Sequence, residues 1–368
     1  LEMGNTIQIL SPWTEGNALD QLKKIAELKG MHSVAGMPDL HAGRGYPVGA
    51  SFFSVGHLYP ALIGNDIGCG MSLWQTDLSA HKFKLDKAEK ILKKYSDFAD
   101  DDWLADNVPT EFQNHAYLRS LGSIGGGNHF AEFQKVNKVI HQDLWDQLNL
   151  NHKNLFLLVH SGSRGLGQAI LRDHIDHYNH DGMNDANEIN TYLQKHDDAV
   201  KFASINRAMI AERMLNALKM SGDCIVDLPH NYVEPAMIDH VKGWLHRKGA
   251  TASDRGLAII PGSRGTYSYL VMPKAQENSL FSIAHGAGRK WMRSECAGRL
   301  SQKYSADQLT RTELGGRVIC QNRDLLYEEA PEAYKDIEGV IQALKDADLI
   351  EVVAELSPVL TYKTSGER

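Results

Sequence analysis

The stretch "LFLLVHSGSRGLG", residues 155–167, runs five apolar residues straight into a histidine and a glycine turn. A short apolar run bounded by turn residues reads as a buried strand. The same pattern recurs along the chain. "CIVDLP" (224–229) leads into His230-Asn231, "LAII" (257–260) into Pro261-Gly262-Ser263-Arg264-Gly265, and "LGSIGGG" (121–127) into Asn128-His129. "YLVM" (269–272) is a further strand of this kind. Polar residues on glycine turns at strand ends are held by a rigid scaffold yet open to a ligand. Two stretches read as helices. Residues 85–95 place Leu85, Ala88, Leu92 and Tyr95 on one face with lysines opposite, and residues 198–220 form a longer helix stopped by Gly222. Strands and helices do not alternate regularly, so the expected fold class is α+β, with mixed sheets and surrounding helices, and not a doubly wound parallel sheet. There is no repeat, linker or composition break. One domain over residues 3–368 is expected, with Leu1-Glu2 before Met3 read as a cloning remnant.

A chain of 368 residues can bury a large core. Its 42% hydrophobic and 23% charged residues are the balance of a soluble globular protein. No apolar stretch reaches the ~18 residues of a membrane span, so no membrane partner is expected. No export signal is visible, and Cys69, Cys224, Cys296 and Cys320 form no CxxC pair. A reduced, cytoplasmic setting follows. The net charge of −7 argues mildly against a nucleic-acid partner. The distribution points the other way. Gly43-Arg44-Gly45, Arg164-Gly165, Arg264-Gly265 and Gly288-Arg289 each pair a guanidinium with a flexible turn, a local device for binding phosphate. For each one alone, a surface turn is the plain alternative.

In "GNDIGCGM" (64–71), Asp66 and Cys69 lie three apart in a glycine-punctuated turn. Alone they read equally as a turn former and a small buried hydrophobe. His129, His160 and His230, each alone a structural histidine, join them at the ends of apolar runs or glycine turns. One carboxylate, one thiolate and three imidazoles suffice for a two-metal site with open positions, and by ligand softness zinc is favoured. His285, in "SIAHGAGRKWMR" (282–293), precedes Gly286, Ala287 and Gly288. A neutral imidazole is a nucleophile, and the glycines let a phosphate approach the backbone. A helix beginning at Arg289 would add positive potential there. The plain alternative is a helix-capping histidine.

Taken together these stretches resemble the RtcB family of RNA ligases. The matches are "GMPDLHAGRGYPVGA" (36–50), "IGNDIGCGM" (63–71), "SIGGGNHFAE" (123–132), "VHSGSRGLG" (159–167), "LPHNYVE" (228–234), "RKGATAS" (247–253), "IIPGSRGTYSYLV" (259–271), "SIAHGAGR" (282–289), "EEAPEAYKDIEGVI" (328–341) and "LSPVLTYK" (356–363). The resemblance implies a GTP- and manganese-dependent ligase with the family's own α+β fold, joining 2′,3′-cyclic-phosphate or 3′-phosphate RNA ends to 5′-hydroxyl ends. It places the guanylated histidine at His285. It implies two Mn²⁺ per chain on Asp66, Cys69, His129, His160 and His230, with Cys69 bridging, and on this point overrides the zinc preference. Nucleotide contacts fall on Asn128, His129, Phe130, Ala131, Glu132, His230, Asn231, Pro261, Gly262, Ser263, Arg264, Ser268, Gly286, Ala287, Gly288 and Lys363, besides His285 itself.

The chain departs from the family pattern at Arg44, Arg264 and Ala284, and in its "PVLTYK" tail (358–363). These changes bear on the substrate and leave the reaction type alone. The short length and "GRGYPVGA" (43–50) resemble the branch linked to a release-factor homologue and to repair of cut ribosomal RNA; a monomer is expected. Two other readings compete. A two-metal phosphodiesterase or phosphatase has no use for His285 in its glycine frame. A non-catalytic RNA-binding module has no use for the metal set.

Overall fold

The computed structural model describes residues 6–10 and 14–365. Leu1-Glu2, read above as a cloning remnant, lie outside the described residues. The strands are β1 (Thr6–Ile9), β2 (Met31–His41), β3 (Val48–Ser54), β4 (Gly70–Ser79), β5 (Phe130–Val139), β6 (Asn154–Ser161), β7 (Gly222–Pro229), β8 (Asn231–Ile238), β9 (Val241–Lys248), β10 (Ala250–Ala252), β11 (Ala258–Ile260), β12 (Ser268–Pro273), β13 (Ser282–Ala284), β14 (Arg317–Cys320) and β15 (Ile350–Thr364). One sheet has the order β1-β2-β3-β9-β8 and a larger one β11-β12-β15-β5-β6-β4-β7, with β14 beside β15 and a small β10-β13 pair apart. Only β1-β2 and β14-β15 pair in parallel among the described strands. Mostly antiparallel sheets with helices around them make an α+β fold.

The run that opened the sequence reading is β6, buried along nearly its whole length. Successive side chains of a strand point to opposite faces. Leu155, Leu157 and Val159 pack with Ile210 and Met214 of the long helix Ala186–Ala217, while Phe156 and Leu158 pack with Trp145 and Leu270. Both faces are covered, so the sequence is continuously apolar instead of alternating.

The long helix starts twelve residues before position 198. Its first third is polar, and its start is set by Asp185, whose Oδ1 accepts from the backbone N–H groups of Asn187 and Glu188. The helix expected at 85–95 ends at Leu92, with Tyr95 packed just beyond it. A larger correction concerns the segment after His285. No helix begins at Arg289. Gly288 has φ 77°, Arg289 bridges Tyr334, and the backbone N–H groups of Lys290 and Trp291 both donate to Ala333. The helix begins at Arg293 (Arg293–Leu300), where Glu295 accepts from the N–H of Met292. The helix start expected beside His285 therefore lies several residues further on.

Candidate functional site

Register alone lines up most of the expected metal ligands. β5, β6, β4 and β7 are successive antiparallel neighbours. Phe130 faces His160, Met71 faces His160 from the other side, and Gly70 faces both Ser161 and Pro229. The residues at these strand ends are His129, His160, Cys69 and His230, all at one end of the sheet. Neighbouring strands lie about 4.8 Å apart, so side chains at these ends can reach one another.

The side chains converge accordingly. Cys69 Sγ lies 3.4 Å from His129 Nε2 and 3.2 Å from His160 Nε2. His160 Nε2 is 3.3 Å from His230 Nε2, and His129 Nε2 is 2.8 Å from Asp66 Oδ2. Two groups of ligand atoms form, Cys69-His160-His230 and Asp66-Cys69-His129, each within 4.8 Å, and Cys69 belongs to both. Gly162 permits this, because a Cβ there would stand 2.0 Å from Asp66 Oδ1.

The donor chemistry fits a cation. His129 Nδ1 donates to the Ile124 carbonyl and His160 Nδ1 to the Asn128 carbonyl, each at 3.0 Å. A carbonyl only accepts, so each Nε2 keeps a lone pair aimed into the cluster. Burial holds His160 and His230 well below the usual histidine range, helped by neighbouring imidazoles. Burial pushes the Cys69 thiol well up, and Asp66 adds to it. Burial also raises the Asp66 carboxyl, but His129, Cys69 and Arg164 outweigh it and the net shift is downward. One carboxylate, one thiol and three imidazoles converging in this way are a donor set that suits metal ions.

His285 stands beside this cluster, its ring 4.6 Å from that of His230. Its Nδ1 is 2.6 Å from Asp39 Oδ2, and its backbone N–H donates to the same oxygen at 3.2 Å. Asp39 is fully buried. Nδ1–H donating to a carboxylate leaves Nε2 as the outward lone pair. Gly288 lets this backbone close on Asp39, since a Cβ there would lie 2.3 Å from the Asp39 carbonyl.

A cavity of about 830 Å³ opens over His285. Of the residues expected at a nucleotide, Asn128, Phe130, Glu132, Pro261, Gly262, Ser263, Arg264, Gly286, Ala287, Gly288 and Lys363 line it. Ala131 packs into the core, and Ser268 is buried, its hydroxyl bonded to Gly262 N–H and Gln134. Asn231 bonds Gly249 N–H and the Asp66 carbonyl. His129 and His230 sit in the metal cluster. Lys363 Nζ donates to the His129 carbonyl at 3.0 Å. Burial raises Glu132 to about 7, against the pull of Thr361, Gln134 and Lys363.

The four glycine-flanked arginines divide. Arg164 Nε donates to Ser123 Oγ. Arg289 is bound by Glu329, Tyr334 and the Glu328 carbonyl. Arg264 is buried on the cavity wall, one nitrogen donating to the Leu326 carbonyl and Nη1 without a partner. Arg44 is exposed at the cavity, with no hydrogen bond or ion pair among the described residues.

Sequence reasoning missed three supports. Asp39 lies in "GMPDLH" (36–41) and looks like a turn residue. Asn206 bonds Gly122, Ser123, Ser161 and Gly162, and Arg207 bonds Asp227 and the Gly68 and Ser161 carbonyls, pinning the ligand loops to the long helix. Their signal was a polar pair inside an apolar helical face.

Comparison with known proteins agrees with this geometry. The family described as "tRNA-splicing ligase RtcB" matches residues 21–100 and 100–364. The RNA-splicing ligase RtcB2 of Escherichia coli (strain ATCC 25922) is 55% identical over 96% of this chain and 94% of its own. The tRNA-splicing ligase RtcB of Nanoarchaeum equitans is 29% identical over 97% and 93%, and the RNA-splicing ligase RtcB1 of the same E. coli strain 29% over 95% and 96%. The chain belongs to the RtcB family of RNA ligases.

Proposed function

We propose that the protein, as a single ligase domain, joins RNA ends bearing a 2′,3′-cyclic phosphate or 3′-phosphate to 5′-hydroxyl ends, using GTP and two Mn²⁺. The observation that carries this reading is His285. Asp39 fixes its Nδ1, and its ring lies between the metal-ligand cluster and the cavity lined by Pro261, Gly262 and Lys363. A simple phosphodiesterase on the same ligands has no need of a fourth, separately oriented imidazole.

Nε2 of His285 attacks the α-phosphate of GTP; a P–N bond forms and pyrophosphate leaves. The RNA 3′-phosphate then takes the GMP as the P–N bond breaks. Last, the 5′-hydroxyl attacks the RNA phosphate and GMP departs. A cyclic phosphate is first opened by water. Asp66, Cys69, His129, His160 and His230 would hold the metal ions, which supply Lewis-acid stabilisation of phosphoryl charge. Backbone N–H groups of residues 286–288 receive the nucleotide phosphates, while Lys363 and Glu132 select guanine. The exposed guanidinium of Arg44 at the cavity supports action on breaks in folded RNA, such as cut ribosomal RNA. A functional link to a release-factor homologue belongs to the same reading; the protein works as a cytoplasmic monomer.

The test is incubation with labelled GTP and Mn²⁺ followed by a denaturing gel. An acid-labile GMP adduct on the wild type, absent from His285→Ala with unchanged metal content, is expected. An adduct that persists in His285→Ala overturns the assignment.

A further inference from the structure

The cavity over His285 has two walls. One carries the residues assigned to the nucleotide. The other is built by Asn17 and Gln21, at the end of β2 by His41, and in the turn that follows by Ala42, Gly43 and Arg44. The proposed nucleotide set uses none of these. The turn is clamped, for Gln21 Nε2 donates to the Gly43 carbonyl at 2.8 Å and the Gly43 N–H donates to Gln21 Oε1 at 3.1 Å.

His41 is set on this wall in one defined tautomer. Its Nδ1 lies 2.9 Å from the carbonyl oxygen of Asp39. That oxygen only accepts, so Nδ1 carries the hydrogen and Nε2 the lone pair. Among the described residues nothing bonds Nε2. A structural histidine of this fold looks different: His246 Nδ1 bonds the Phe52 carbonyl and its Nε2 accepts from the Tyr59 N–H. Burial lowers His41 to about 4, against the pull of Asp39, so its ring is neutral at physiological pH. Asp39 therefore orients two imidazoles, His285 through its carboxylate and His41 through its carbonyl.

We propose that this second wall receives the 5′-hydroxyl RNA end and that His41 Nε2 takes the proton of the attacking hydroxyl in the sealing step. The proposal rests on the ligase reading above. The hydroxyl oxygen bonds to phosphorus of the activated 3′-end, the P–O bond to the GMP phosphate breaks with its electron pair, and the hydroxyl proton passes to Nε2 and on to water. Arg44, exposed beside His41 on the same turn, faces the phosphates of the incoming strand. His285 needs a lone pair for phosphorus in the first step, and His41 supplies one for a proton in the last.

The experiment separates the steps with RNA already carrying a 3′-diphosphate-linked guanosine, a 5′-hydroxyl RNA partner and Mn²⁺ under single turnover. His41→Ala is expected to slow sealing by ~10²–10³-fold, while its GMP adduct with GTP still forms within about threefold of wild type. Adduct formation doubles as the check that the variant is folded. His41→Gln restores a hydrogen-bond acceptor but no base, so it should recover RNA affinity and not rate. His285→Ala should seal this preactivated RNA. Sealing by His41→Ala at the wild-type rate, or equal losses of sealing and of adduct, overturns the inference. A wild type that neither forms adduct nor seals would instead overturn the ligase reading itself.

Discussion

One oxygen of Asp39 holds His285 twice, at 2.6 Å to the ring Nδ1 and at 3.2 Å to the backbone nitrogen. The ring can neither rotate nor exchange tautomers without breaking a buried, charge-assisted bond.

Asp39→Ala should therefore weaken His285 as a nucleophile. Nothing then fixes the ring hydrogen on Nδ1 or the angle of the ring, so the lone pair on Nε2 is no longer held toward the cavity. The rate of GMP adduct formation should fall by ~10²–10⁴-fold. Metal content should not change, because Asp39 touches no ligand of the cluster. An adduct rate near wild type would show that the tautomer is not controlled from Asp39.

How much of this was legible follows from where each signal sits. β6 declared itself because both its faces are buried, and His160 because it closes that run. β15 did not, because Pro358 interrupts it; the structure absorbs the proline at a register shift between Pro358 and Leu360. Pro38 likewise masked β2, and with it Asp39 and His41. The arginines show the limit most plainly. Arg44, Arg264 and Arg289 look alike in sequence. Whether each guanidinium is paired depends on Leu326, Glu328 and Glu329, which reach Arg264 and Arg289 only through the fold.

Cys69 and Gly162 should separate a shared ligand from a single-site one. Cys69 belongs to both ligand groups, whereas Gly162 makes room for Asp66, a member of one. Cys69→Ser should weaken both metals, since a hydroxyl is a poor bridge at neutral pH. Gly162→Ala should push Asp66 off His129 and weaken one metal by ~10–100-fold while the other stays. Equilibrium dialysis with Mn²⁺ reads the stoichiometry. Two metals of unchanged affinity on Cys69→Ser would refute the bridge.

Glu132 gives a pH dependence of known sign. Its folded value, raised from 4.5 to about 7, means the folded chain holds this proton more tightly than the unfolded one. Stability from this group is fully present below the unfolded value and is lost as pH rises through about 7. Above that, burial of the charge costs on the order of 3 kcal/mol. Glu132→Gln removes the titration, so its melting temperature relative to wild type should rise between about pH 5 and about pH 8. A difference that stays flat with pH would contradict a raised Glu132. The same variant should lose preference for GTP over ATP in adduct formation, because the guanine edge loses its carboxyl partner.

Arg44 and Arg264 should act on different steps. Arg44 is exposed on the clamped turn and has no described partner, so it is available to an RNA phosphate. Such a contact releases about one counterion, and Arg44→Ala should flatten the salt dependence of RNA binding by a slope of about 1. It should also weaken the preference for a nicked, folded ribosomal RNA over cleaved tRNA halves, most strongly at low salt. Arg264 is buried and spends one nitrogen on Leu326, so it cannot follow a mobile RNA backbone. Its unpartnered Nη1 and its place on the cavity wall put it with the nucleotide. Arg264→Met should change the concentration of GTP needed for adduct formation and leave the RNA salt slope alone. Competition between the two RNAs at two salt concentrations, run beside a GTP titration, reads both effects. If Arg264→Met moved the salt slope, or Arg44→Ala moved only the GTP requirement, the division of labour between the two arginines would be wrong.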